Sequence, residues 1–128
     1  DTYILNVASA AAFQPGPLMS TYYATKSYVY QLTEALYYEE KIKKTKVHVS
    51  VLCPGPVDTN FNNVANVKFS VKPLKSTYVA KYAIDKMLEG KLLIIPGFKM
   101  KCARFFGKFV PNKLMLKITY NIQKKKAS

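Results

Sequence analysis

Three short apolar runs, each separated from the next by a stretch long enough for a helix, constrain this chain more than any other feature. Residues 3–8 (Tyr-Ile-Leu-Asn-Val-Ala), 47–53 (Val-His-Val-Ser-Val-Leu-Cys) and 92–95 (Leu-Leu-Ile-Ile) are brief and rich in aliphatic side chains. The second and third runs stop at Pro54-Gly55-Pro56 and Pro96-Gly97. Strands buried on both faces of a parallel sheet have this continuous apolar character. Between the first two runs, residues 21–44 contain no Gly or Pro, and Val29, Leu32 and Leu36 recur at helical spacing. A long helix is expected there, with Ser20 or Thr21 as its cap. A second helix opens at Ser76, carries Val79, Ala83 and Met87 on one face, and stops at Gly90. Alternation of this kind predicts an α/β parallel sheet with right-handed crossovers.

Function in such sheets gathers at the carboxyl ends of the strands. The places to look are therefore the loop after Val7 and the loop after Cys53. Residues 57–75 lack periodicity, and a long loop within a compact domain usually serves function. The chain divides into an α/β part over 1–97 and a basic, amphipathic helical extension over 98–128, broken at Pro111. The net charge is +13, and no acidic residue follows Glu89. Ten lysines and arginines lie beyond it, which attracts anionic partners or simply solvates a surface. Packing on the α/β part is the expected role of 98–126, with peripheral contact to an anionic membrane as its alternative.

No signal peptide and no membrane-spanning apolar run are visible. Cys53 and Cys102 lack metal-ligand spacing and read as reduced thiols. A cytoplasmic compartment is expected, with membrane association as an addition. The chain starts at Asp1 and is almost at once inside a core strand, so an upstream segment is expected.

Chemistry enters with Tyr22-Tyr23-Ala24-Thr25-Lys26. Tyr22 and Lys26 are four apart and share a helix face. A nearby ammonium favours a phenolate, which brings a tyrosine closer to acid–base work near neutral pH. The Ser9 hydroxyl could bond a substrate oxygen and steady charge developing there. On spacing alone the signal is weak, and an aromatic core residue with an exposed lysine is the better account of the pair. His48, Glu39 and Glu40 have no sequence partners, and no ligand cluster supports a metal site.

Context decides more. Asn6-Val7-Ala8-Ser9 ends the first strand, Tyr22-x-x-x-Lys26 opens the next helix, and Pro54-Gly55-Pro56-Val57-Asp58-Thr59 ends the second strand. This ordered set resembles the short-chain dehydrogenase/reductase family over about residues 3–95. The resemblance implies the second half of a Rossmann-like, doubly wound parallel sheet with C-terminal helices. It implies an oxidoreductase that moves hydride between NADP or NAD, NADP being preferred, and a carbonyl or alcohol. Tyr22 would be the proton donor or base, Lys26 would lower its pKa and bond the nicotinamide ribose, and Ser9 would hold the substrate oxygen. Pro54 and Gly55 would line the nicotinamide face, with Val57 and Thr59 at the carboxamide. Tyr23 does not match the motif, because it lies three residues from Lys26.

Phe13, Leu18, Met19 and the loop 61–71 would flank the substrate, and their apolar character implies a greasy carbonyl compound. The long helix 21–44, rich in tyrosine, would form a homo-oligomer interface. Two features depart from the pattern. Ala8 stands where the family usually has serine. The glycine-rich pyrophosphate turn and the family's catalytic asparagine, both upstream elements, are not among these residues. The expectation is a C-terminal catalytic half that binds a dinucleotide poorly by itself. The alternatives are a basic membrane- or nucleic-acid-binding module on an α/β scaffold, or a non-catalytic relative. Nucleic acid is not the expected partner.

Overall fold

The computed structural model describes residues 1–59 and 72–127. Its main sheet has three parallel strands in the order β1-β2-β5: β1 at Thr2–Val7, β2 at Val47–Leu52 and β5 at Leu93–Ile94. The register runs from Thr2 opposite Val47 to Val7 opposite Leu52. Helix α1 (Ser20–Lys43) connects β1 to β2, and α2 (Ser76–Leu88) precedes β5. Two short strands, β3 (Val57–Asp58) and β4 (Leu74–Lys75), pair in parallel at either end of the expected long loop. The loop 61–71, expected to flank the substrate, lies outside the described residues.

β2 is the centre of the core. Ser50, Val51 and Cys53 are fully inaccessible, and Leu52 nearly so. Alternate side chains of a strand point to opposite faces. Accordingly, Val51 and Cys53 pack with Ala8, Ala12 and Tyr30 on the α1 side, while Leu52 packs with Val79, Ala83 and Ile94 on the α2 side. Helices therefore cover both faces, and the α/β parallel architecture stands as expected.

Two local expectations fail. Met19, not Ser20 or Thr21, sits at the cap of α1, with no side-chain cap bond, and Ser20 is already helical. The buried face of α1 is Tyr23, Tyr30 and Thr33, while Leu32 is exposed. The hydroxyls decide this. Thr33 Oγ1 accepts from Asn6 Nδ2 at 2.9 Å and donates to the Val29 carbonyl at 2.7 Å, which ties α1 to β1. Buried polar groups are tolerated when bonded in this way.

The extension forms α3 (Phe98–Gly107) and α4 (Asn112–Ala127), with the break at Pro111. Gly97 precedes α3 at φ +88°, a backbone that side chains rarely adopt. Both helices return to the α/β part. Met100 packs on the α1-side core, Gln14 Nε2 donates to Thr119 Oγ1 at 3.2 Å, and Gln123 bonds Tyr23. No helix among the described residues is long and apolar enough to cross a membrane.

Candidate active site

The carboxyl ends of β1 and β2 are held together past the end of the ladder. Ala8 N donates to the Leu52 carbonyl at 2.8 Å and Ala10 N to the Pro54 carbonyl at 2.9 Å. Ser9 and the Pro54-Gly55-Pro56 turn are thereby neighbours, although 45 residues separate Ser9 from Pro54 in the chain. Ser9 caps a single 3-10 turn at Ala10–Phe13, and its Oγ accepts from Ala11 N at 3.1 Å. A hydroxyl used as an acceptor still has its own proton to donate. The turn is fixed to α1 by Ser27 Oγ, which donates to the Ala12 carbonyl at 2.7 Å.

α1 thus brings its first turns to the same place. The Lys26 ammonium lies 5.6 Å from the centre of the Tyr22 ring. Tyr23 faces inward: it is buried, and its hydroxyl bonds Gln123 of α4. Burial pushes the Tyr23 phenol above its ordinary value. A Cβ on Gly16 would come within 2.0 Å of the Tyr23 ring, so only glycine fits beside it.

A cavity of about 680 Å³ opens at this end of the sheet. Ser9, Tyr22, Pro54, Gly55, Val57 and Thr59 border it. Six of the seven residues nominated from sequence for catalysis or cofactor binding therefore line one cavity, and of the expected substrate neighbours Phe13 and Met19 line it while Leu18 does not. Lys26 is not on the wall and meets the site through the Tyr22 ring. Tyr23 borders the cavity too, but it is buried, and its hydroxyl accepts from Gln123 Nε2.

The other part of the wall belongs to the extension 98–126, expected from sequence to pack on the α/β part with its apolar face over the substrate pocket. It comes from α3 and α4, through Met100, Arg104, Phe106, Ile118 and Ile122. The sequence signal for the residues themselves is the spacing of Met100, Ala103, Arg104 and Gly107, which share one face of α3. The Arg104 guanidinium stacks 4.2 Å from the centre of the Phe13 ring, and its buried Nε has no hydrogen-bond partner among the described residues. Nearby, Tyr30 donates to Glu34 Oε1 at 2.7 Å. Cys53 is buried beneath the site, and burial pushes its thiol up to about 12. His48 stacks on Tyr3 at the far end of the strands. The described residues contain no group of three or more His, Cys, Asp or Glu able to hold a metal ion.

The fit of a nicotinamide group can be tested on this wall. Pro54, Gly55 and Pro56 line the cavity together with the hydroxyl-bearing Ser9, Tyr22 and Thr59. The Met100 side chain packs against Gly55, so that a Cβ there would lie 2.8 Å from it. Apolar turn residues beside hydroxyls are the chemistry that a nicotinamide ring and its amide call for. Nothing comparable is present for a pyrophosphate, since no two glycines have the spacing of a dinucleotide-binding turn.

Comparison with known proteins is consistent with this geometry. The family model described as short chain dehydrogenase matches residues 2–68. Mouse 17-beta-hydroxysteroid dehydrogenase type 3 is 37% identical over 67 residues, which are 52% of this chain and 21% of that protein. The very-long-chain 3-oxoacyl-CoA reductase of Anas platyrhynchos is 36% identical over 76 residues, 59% of this chain and 23% of that one. The chain thus covers less than a quarter of the length of these curated relatives. Among solved structures, a short-chain dehydrogenase from Sphingobium yanoikuyae in complex with NADPH superposes with a TM-score of 0.67. That match has 23% identity and covers 83% of this chain and 41% of that one.

Proposed function

The chain belongs to the short chain dehydrogenase family, and from that premise we propose that the full-length protein is a nicotinamide-dependent oxidoreductase interconverting an apolar ketone and its alcohol. The observation that carries the reading is the shared cavity wall. Ser9, Tyr22 and the Pro54–Thr59 turn border one space, and the Lys26 ammonium stands beside Tyr22.

In the direction of reduction, Tyr22 gives the proton. Its phenol borders the cavity and would donate to the carbonyl oxygen as negative charge develops there. Ser9, whose Oγ already accepts from Ala11 N, would turn its O–H to the same oxygen. Lys26 places positive charge next to the phenol, where it steadies the anion left after proton transfer. It would also bond a ribose hydroxyl. Pro54 and Gly55 would hold the nicotinamide ring flat, and Val57 and Thr59 would hold its carboxamide. A bound nicotinamide supplies or accepts the hydride. NADP is the preferred cofactor and NAD the alternative; structural neighbours contain one or the other.

The apolar substrate class rests on the second wall. Met100, Ile118 and Ile122 offer aliphatic surface, and the curated relatives are named for hydroxysteroid and very-long-chain acyl substrates. In full-length protein, Tyr22→Phe should lower kcat/KM by at least about 100-fold, the usual worth of a positioned acid, while NADPH still binds. Turnover within a few-fold of the parent would overturn the role given to Tyr22.

A further inference from the structure

α3 has two apolar faces. One carries Met100, Arg104 and Gly107 and borders the cavity. The other carries Phe98, Phe105 and Phe109, at 80%, 56% and 72% exposure. Steps of seven and eleven residues return to the same side of a helix, so these rings form one stripe. Phe109 stays in the turn that follows, with its N bonded to the Phe106 carbonyl at 3.1 Å. The Phe105 and Phe109 rings touch edge to face at 5.6 Å. A helix packed on its own protein through one face gains nothing from a second such face in water.

Charge says what covers the stripe. By the same helical step, Lys99 falls on one flank and Lys108 on the other, while Lys101, beside Lys108, donates to the Tyr82 hydroxyl at 2.6 Å and so is held to α2. No acidic residue follows Glu89. Phenylalanines bordered on both sides by lysines suit the boundary between acyl chains and anionic headgroups, because the lysine stems lie along the apolar layer while their ammonium groups reach phosphate. Phe106 adjoins the stripe, is itself exposed, and also borders the cavity.

We propose that the outer stripe of α3 docks on an anionic lipid bilayer, so that the Phe106 rim of the cavity opens beside the apolar phase. The docking stands on the stripe and its charge; the entry of substrate from lipid rests on the oxidoreductase reading.

The test uses full-length protein with vesicles of phosphatidylcholine, with and without phosphatidylserine, and follows hydrogen exchange over residues 98–109. Exchange should slow with phosphatidylserine vesicles, slow far less with phosphatidylcholine alone, and recover in high salt. The triple variant Phe98→Ser, Phe105→Ser, Phe109→Ser should bind phosphatidylserine vesicles through this segment at least about tenfold more weakly, having lost three buried rings. None of the three residues borders the cavity, so NADPH binding should persist. Tyr22→Phe protein should dock as the parent does, which separates failure of the chemistry from failure of the docking. Exchange indifferent to lipid would overturn the proposal. So would a segment already protected without lipid, which would mean that the rest of the chain or a second copy covers it. Equal slowing by single-stranded RNA would assign the patch to nucleic acid instead.

Discussion

Tyr22 and Tyr23 are adjacent, yet the fold gives them opposite tasks. Tyr22 borders the cavity with the Lys26 ammonium 5.6 Å from its ring. Tyr23 is buried, bonded to Gln123 and closed in by Gly16. Removing the Tyr23 hydroxyl would leave the buried Gln123 amide without that partner, at a cost of about 1–2 kcal/mol. Tyr23→Phe should therefore shift urea unfolding to lower concentration while turnover stays within a few-fold. A collapse of turnover at unchanged stability would mean that the roles of the two tyrosines had been exchanged. The choice of Tyr22 was legible in sequence because Tyr-x-x-x-Lys is a local pattern, and so was Ser9 at the end of its strand. Arg104 and Gln123 were not legible. They reach the site from α3 and α4, 91 residues beyond Phe13 and 100 beyond Tyr23 respectively, and no local spacing announces that return.

Along α1, the period of the helix was legible and its orientation was not. Val29, Leu32 and Leu36 recur at helical spacing, yet Leu32 is exposed and the buried positions are Tyr23, Tyr30 and Thr33. Each of these has a hydroxyl with a partner, in Gln123, Glu34, and Asn6 with Val29 respectively. Hydrophobicity alone cannot find a buried face built from bonded hydroxyls. The outward row is Tyr28, Leu32, Tyr38 and Ile42, all exposed. These positions fall within about a third of a turn of one another. An aromatic and aliphatic row of this kind suits a subunit interface, and we expect it to join two copies of the full-length protein. Leu32→Glu should move the sedimenting species to the monomer. An assembly untouched by that charge would place the interface elsewhere.

At the scale of the molecule, the strand and helix alternation was enough to read the α/β architecture, because strands buried on both faces must be apolar throughout. The pattern led to the expectation that the C-terminal helices pack on the α/β part, but it could not show which of their residues border the cavity. α4 is pinned by two polar bonds, Thr119 to Gln14 and Gln123 to Tyr23, and contributes Ile118 and Ile122 to the cavity. Deleting residues 112–128 from the full-length protein should raise KM for an apolar ketone about tenfold or more through lost burial. NADPH affinity should change little, since Pro54–Thr59 and Tyr22 remain. Unaltered KM would show that α4 does not touch substrate.

The two cysteines have one more consequence. Cys53 is fully enclosed and its thiol is pushed up to about 12, so it holds almost no thiolate at neutral pH. Cys102 is partly open, four residues on from Phe98 along the outer face of α3. Within these 128 residues the protein thus carries one natural handle for a maleimide dye, seated among the exposed phenylalanines. A polarity-sensitive fluorophore attached there would report by its colour on whatever medium that face meets.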